Sequence, residues 1–279
     1  MEPNSSSSHG QNGIGGAHAH DALATTAPTR LDPNMLFEGS RLFVLGCTGF
    51  LGKVFWVMLL DRFPMVGKIF MLVRSSGSVT SEQRFWQSVA TNECLAPLRA
   101  KYPGDEFEAF LREKIVPVDG DVSRPFCGID EKIIAELKGT IDAVVNVAGV
   151  VDFNPPLDEA LDANAFGAQN LVALTRALGE TTPLMHTSTC YVAGRRKGPI
   201  LEVDPGEFPF PRCEELGREL WDPAREIDEC LELIAQAHHR CDDAFRQSEF
   251  AEKAKKNLNE RGEPSGGDAF ASELGKVKR

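Results

Sequence analysis

LFVLGCTGFLGK, residues 42–53, is an apolar run that breaks into glycines at Gly46, Gly49 and Gly52 and then continues at helical spacing. The pattern is that of a strand, a tight turn and a helix that together cradle a dinucleotide. Gly46 permits the turn out of the strand, Gly49 lets the backbone approach a pyrophosphate with no Cβ in the way, and Gly52 lets the helix lie close to the sheet. The helix N-terminus then offers free N–H groups to phosphate. A glycine triplet alone is weak evidence. Here it lies between a strand-like FVL and the apolar run VFWVMLLDRF, which is the context the motif requires. The candidate cofactor-binding residues of this turn are Gly46, Thr48, Gly49, Phe50, Leu51 and Gly52.

The wider composition is that of an ordinary soluble chain. Its 279 residues, 42% hydrophobic and 25% charged, suffice to bury one large core or two small ones. A net charge of −11 argues against a nucleic-acid partner. The cysteines Cys47, Cys94, Cys127, Cys190, Cys213, Cys230 and Cys241 form no C-x-x-C pair, an unpatterned set that points to reduced thiols and a cytoplasmic location. The longest apolar run, Val54–Leu60, is far short of the roughly 18 residues that would suggest a membrane span, so no transmembrane segment is expected.

Residues 1–35 are rich in Ser, Gly, Ala and His without apolar periodicity and read as a disordered tail. They lack the basic stretch and apolar core of a secretory signal. His9, His18 and His20 read as solvated tail residues rather than metal ligands. From Arg41 onward strands alternate with helices. Strands are predicted at Leu42–Leu45, Lys68–Val73, Lys114–Val118, Ile141–Val147 and Leu184–Thr189. Helices are predicted at Phe50–Arg62, Ser81–Glu113 with breaks near Pro97 and Pro103, Asp130–Leu137 and Pro156–Leu178. This order gives an α/β fold, a Rossmann-type doubly wound parallel sheet over residues 36–200, with its ligand at the carboxyl ends of the strands.

The second strand ends in LVR, which places Arg74 where the adenosine ribose of a dinucleotide arrives. A carboxylate there accepts ribose hydroxyls, whereas a cation accommodates a 2′-phosphate, so Arg74 favours NADPH. The third strand runs into Asp119-Gly120-Asp121-Val122. Asp121 reads equally as an acceptor for the adenine amino group, with Val122 flanking the ring, or as a turn-capping aspartate.

These segments together resemble the extended short-chain dehydrogenase/reductases, and among them the fatty acyl-coenzyme A reductases and related thioester-reductase domains. The resemblance rests on GCTGFLGK (46–53), KIFMLVR (68–74), KIVPVDGDVSRPFCGI (114–129), VVNVAGVVDFNPPLDEALDANAFGAQNL (144–171) and HTSTCYVAG (186–194), which lie in the family's order over roughly residues 40–200. It implies that Arg74 and Arg84 bind the 2′-phosphate of NADPH, that Ala148, Gly149 and Val150 form a wall along the cofactor, and that Asn164 helps hold the proton-relay geometry. Asn164 reads equally as a polar helix-face residue. The resemblance makes Thr189, with Ser188 as second choice, the hydroxyl that orients the carbonyl being reduced. Without it, Thr187, Ser188 and Thr189 would read as strand-end caps. The implied reaction is hydride transfer to a fatty acyl-CoA thioester, collapse of the hemithioacetal to an aldehyde and a second reduction to the alcohol.

One departure stands against this. The family requires Tyr-x-x-x-Lys, in which lysine lowers the tyrosine pKa so that the phenol can protonate the developing alkoxide. The only tyrosines here are Tyr102 and Tyr191, and Tyr191 is followed four places later by Arg195. The chain reaches Arg279 before the family's catalytic helix, so a fragment or truncated product is expected. Residues 201–279 read as a helical segment, with Ile227, Leu231, Ile234, Cys241 and Phe245 at helical spacing and a loop over ERGEPSGGD at 260–268. His238, His239 and Cys241 match no standard metal-site spacing, and no metal is expected. Arg195, Arg196 and Lys197 read as a solvated loop that could also meet coenzyme A phosphates. The leading expectation is therefore an NADPH-dependent fatty acyl-CoA reductase. The alternatives are another extended reductase, acting on a carrier-bound acyl group or epimerising a sugar, and a non-catalytic NADPH-binding fragment.

Overall fold

The computed structural model describes residues 31–189, 191, 197–202, 222–242 and 244–278. Five parallel strands, β1 (Arg41–Leu45), β2 (Lys68–Val73), β3 (Ile115–Asp119), β4 (Ala143–Asn146) and β5 (Leu184–His186), form one sheet in the order β3-β2-β1-β4-β5. The chain steps outward on one side of β1 through β2 to β3, then returns to the other side for β4 and β5. This reversal opens a crevice at the carboxyl ends of β1 and β4.

β1 and β2 are buried almost throughout, as strands covered on both faces must be. Alternation along each strand divides the core into two layers. Leu42 and Val44 of β1, with Ile69, Met71 and Val73 of β2, pack with Trp56 and Leu60 of the helix α2 (Phe50–Arg62), and with Phe85, Leu98 and Leu111. Phe43, Leu45, Phe70 and Leu72 face the opposite way, against Leu171, Leu174 and Leu178, which recur at helical spacing on a helix over Gly167–Leu178. Trp56 is fully buried, and its indole Nε1 donates to the Cys47 carbonyl at 3.2 Å, joining α2 to the turn that precedes it.

The structure departs from the sequence expectations at several boundaries. A short helix α1 (Pro33–Phe37) begins inside the stretch expected to be a tail, because Asp32 accepts from the Asn34 N–H and Pro33 fits a first helical turn; residues 1–30, with His9, His18 and His20, lie outside the described residues. The long helix expected over Ser81–Glu113 is instead a chain of short pieces. Thr80 and Gln83 form a capping box on α3 (Ser81–Arg84), which continues as a wide π-turn over Phe85–Val89. Asn92 caps a 3₁₀ turn, and Pro97 starts α4 (Ala96–Lys101) rather than ending a helix. Gly104, at φ 63°, then makes the corner into α5 (Asp105–Lys114).

Further on, α6 (Glu131–Leu137) precedes β4. The expected Pro156–Leu178 helix is α7 (Leu157–Ala160), a π-turn over Leu161–Phe166, and α8 (Gly167–Leu178). β4 and β5 are shorter than expected, since their pairing ends at Asn146↔His186, and Ser188 and Thr189 lie beyond the strand. The amphipathic helix expected through Ile227–Phe245 is divided between α9 (Pro223–Cys241) and α10 (Ala244–Glu260), and a third helix, α11 (Gly267–Lys278), follows. The expected loop falls between α10 and α11, with Gly262 and Gly267 both at positive φ. Residues 203–221, Arg195 and Arg196 lie outside the described residues.

α10 and α11 are clasped by the buried Glu273, whose carboxylate accepts from Arg261 Nη2 at 2.7 Å and Asn257 Nδ2 at 2.9 Å. The Arg261 hydrogen bond comes first among the causes that hold this carboxyl down at about 2 against an ordinary 4.5. A depressed acid stabilises the fold fully above its unfolded pKa and loses that contribution as pH falls through the folded value. Thermal unfolding followed by circular dichroism should therefore show wild-type stability declining between pH 4.5 and about 2, with Glu273→Gln less stable near neutrality and flatter over this window. In the main core, Trp56→Ala should lower the urea unfolding free energy by about 3–5 kcal/mol, the range for removing a buried aromatic.

Candidate functional site

The crevice at the switch point contains a cavity of about 610 Å³, within the size range of small-molecule sites. Its floor is the glycine turn. Gly46 sits at φ +79°, and a Cβ there would overlap the Val147–Ala148 backbone beyond β4. A Cβ on Gly52 would overlap the Gly46 carbonyl, so Gly52 is required by the protein's own packing and does not line the cavity. Gly49 differs. It lines the cavity as the residue that begins α2, and a Cβ there would meet protein only at the Gly46 carbonyl, 3.3 Å away. The fold demands glycine less strictly at 49 than at 46 or 52, since this one tight contact is the nearest that a Cβ would meet. No side chain caps this end of α2, which leaves its first-turn N–H groups available to an anion. The turn therefore fits a pyrophosphate.

Arg74, the residue after β2, and Arg84, at the end of α3, both line the cavity. Arg84 Nη1 donates to the Arg74 carbonyl at 2.6 Å, which sets the two guanidinium groups on one rim. Arg74 is mostly exposed and lies 3.6 Å from Asp121. Partial burial works against ionisation of Asp121, but the Ser123 N–H and hydroxyl and the Arg74 charge together hold its carboxyl below the usual range. The Asp121 carboxylate is thus already engaged, as the turn-capping reading anticipates, and Asp121 and Val122 also line the cavity.

The opposite wall is Val147, Ala148, Gly149 and Val150, held by two asparagines. The buried Asn146 accepts from the Ala148 N–H at 3.1 Å, and its Nδ2 donates to the Ala148 carbonyl at 3.4 Å and to His186 Nδ1 at 2.9 Å. Asn164 accepts from the Val150 N–H at 2.9 Å and donates to the Val150 carbonyl at 3.1 Å. Asn164 thereby fastens the wall from behind without lining the cavity.

Sequence reasoning and geometry also part at other positions. Phe50 and Leu51 project into solvent from the first turn of α2 and do not line the cavity, because the turn meets the site through its backbone. Ser188 and Thr189 are exposed and stand outside the lining, and Thr189 Oγ1 accepts from the Tyr191 N–H at 3.2 Å. Leu72, Gly120 and Ser123 join the lining from the β2 and β3 ends, and Asp158, Glu159, Asp162 and Ala163 join it from α7 and the turn after it. The acidic group could have been found from the rule that the segment following β4 borders the crevice. The cavity is consequently bipolar, with arginines on one rim and carboxylates on the other. The described residues contain no cluster suited to a metal, and none of their helices is long and apolar enough to cross a membrane.

Two cysteines lie beside the site in unreactive form. Burial pushes the Cys47 thiol up to about 12, and its Sγ donates to the Leu72 carbonyl at 3.3 Å. Burial, followed by the Asp121 charge, pushes Cys127 up to about 12 as well. Maleimide labelling of the folded chain near pH 8, read by peptide mass spectrometry, should leave Cys47 and Cys127 unmodified, and urea should expose both. The glycines yield a sharper test. Gly49→Ala should weaken nucleotide binding at least tenfold, whereas Gly52→Ala should lower Tm far more than Gly49→Ala does.

Comparison with known proteins gives this geometry a family. The model of the Male sterility protein family, an NAD-binding family, matches residues 44–228. Fatty acyl-CoA reductase 1 of Arabidopsis thaliana is 32% identical over 69% of this chain and 38% of its own length. The alcohol-forming fatty acyl-CoA reductase of Simmondsia chinensis is 31% identical over 59% of this chain and 34% of its own. Among solved structures, the terminal R domain of the myxalamid biosynthetic pathway aligns with 29% identity and a TM-score of 0.45, over 58% of this chain and 38% of that one. The chain thus spans less than two fifths of the length of these relatives. With a matching region that runs from β1 into α9, the chain belongs to the Male sterility protein family.

Proposed function

We propose that this chain is the nucleotide-binding part of an NADPH-dependent reductase of acyl thioesters, with fatty acyl-CoA as the substrate and an aldehyde or alcohol as the product. The observation that carries the reading is the pairing of Arg74 and Arg84 on the rim of a cavity floored by an uncapped helix N-terminus. Two cations at the end of β2 favour a 2′-phosphate over a bare ribose diol. The names of the fatty acyl-CoA reductase relatives support the substrate class.

In this reading Gly46, Thr48 and Gly49 hold the pyrophosphate, Arg74 and Arg84 the 2′-phosphate, Asp121 and Val122 the adenine, and Ala148, Gly149 and Val150 the face of the nicotinamide. The bound dinucleotide would supply hydride to the thioester carbonyl carbon. Thr189, with Ser188 beside it, is assigned the hydroxyl that donates to the carbonyl oxygen as negative charge develops there. To bind a phosphate, Arg74 turns its guanidinium from Asp121 toward the ligand. Arg74 is mostly exposed and the Ser123 hydrogen bonds to Asp121 are kept, so this exchange is cheap.

A second reading, nucleotide binding without turnover by this chain, is favoured by the absence of Tyr-x-x-x-Lys from the sequence. Tyr102 is stacked on Phe110 with ring centroids 4.1 Å apart and serves packing. Tyr191 is exposed and meets Phe153 edge to face. Fluorescence titration separates cofactor choice from catalysis. NADPH should bind at least tenfold more tightly than NADH, and Arg74→Ala should remove most of that preference while leaving NADH affinity nearly unchanged. Equal affinities in the wild type would contradict the 2′-phosphate assignment.

A further inference from the structure

A second cavity, of about 460 Å³, lies between α7 and the C-terminal helices. Leu157 of α7 faces Leu233, Ile234 and Ala237 of α9 across it, and Leu157 and Leu233 keep 43% and 54% of their surface exposed. Together they line one concave surface of a size that suits an elongated apolar group. The cavity is also braced. α9 packs directly on α7, and Gln247 Nε2 of α10 donates to the Cys241 carbonyl at 2.6 Å, fixing the corner where α9 passes into α10.

Asp158 lines both this cavity and the nucleotide cavity, so α7 is their common wall. We propose that the groove between α7 and α9 receives the fatty acyl chain of the thioester substrate. This inference rests on the thioester-reductase reading and adds a place for the chain. The charges decide which part of the substrate fits. Asp158 and Asp242 line the groove, and carboxylates at these positions repel the phosphates of coenzyme A but do not oppose a neutral hydrocarbon. The acyl chain therefore occupies the apolar strip of Leu157, Leu233, Ile234 and Ala237, and the nucleotide portion of coenzyme A remains outside.

The test is calorimetric titration of the full chain with palmitoyl-CoA below its micellar concentration, octanoyl-CoA and coenzyme A, together with NADPH titration of each variant. The wild type should bind palmitoyl-CoA at least tenfold more tightly than octanoyl-CoA, and coenzyme A more weakly still. Ala237→Trp, which fills the groove, should reduce palmitoyl-CoA affinity at least tenfold with NADPH affinity unchanged. Leu233→Asn, on the exposed side of α9, should reduce it in the same direction and serves where the tryptophan disturbs the helix. Equal affinity of the wild type for palmitoyl-CoA and coenzyme A, or undiminished palmitoyl-CoA binding in both variants, would overturn the groove assignment and leave the reductase reading standing. Failure of the wild type to bind any acyl-CoA while it binds NADPH would overturn the groove and the fatty acyl-CoA substrate together.

Discussion

The structure depends on one backbone contact. The Gly46 carbonyl lies against Gly52 at a distance that leaves no room for a Cβ, and a Cβ on Gly46 itself would overlap the Val147–Ala148 backbone. The first approach seats α2 on the sheet, and the second draws the end of β4 up to the end of β1. These two strand ends flank the switch point, so the same glycine that allows the turn also sets the width of the crevice. Trp56 reinforces the arrangement by bonding to the Cys47 carbonyl from the buried face of α2. The glycine turn that floors the cavity is therefore shaped by core packing.

Electrostatics then differentiates the crevice along its length. The arginine rim is built by β2 and α3, and one guanidinium is anchored to the backbone that carries the other. The carboxylate rim is built by α7 and the turn that follows it. An elongated ligand with anionic groups at one end and neutral groups at the other is oriented by such a field before any specific contact forms. α7 has a second face, toward α9, where the lining becomes apolar. One short helix thus separates a polar nucleotide channel from an apolar groove.

How much of this was legible in the sequence depended on how local the cause was. The β1–turn–α2 unit could be read because strand alternation, glycine geometry and helical spacing all act within a dozen residues. Arg74 could be read because β2 ends in a run whose direction is fixed by the strand before it. Asn164 could not be assigned, since its partner is the backbone of Val150 in a loop fourteen residues away. The π-turns at Phe85–Val89 and Leu161–Phe166 were missed because each is a rare single turn that continues a stretch of α-helix. The break between α9 and α10 was missed because the apolar spacing runs on from Ile234 through Cys241 to Phe245, whereas the loop before α11 could be read from its glycines and proline. Thr189 was singled out by resemblance, and its present partner is the Tyr191 backbone, a strand-end contact of the kind that the residues alone suggest.

The central proposal is that the glycine turn, the arginine rim and the Ala148–Val150 wall act as one binding surface for NADPH. Hydrogen–deuterium exchange of the chain with and without saturating NADPH tests it directly. Slowed exchange at the amides of 46–52, 74–75, 120–123 and 147–150, with α10 and α11 unaffected, is the result this account predicts. Unchanged exchange over the glycine turn at a concentration where NADPH is bound would contradict it and place the nucleotide elsewhere.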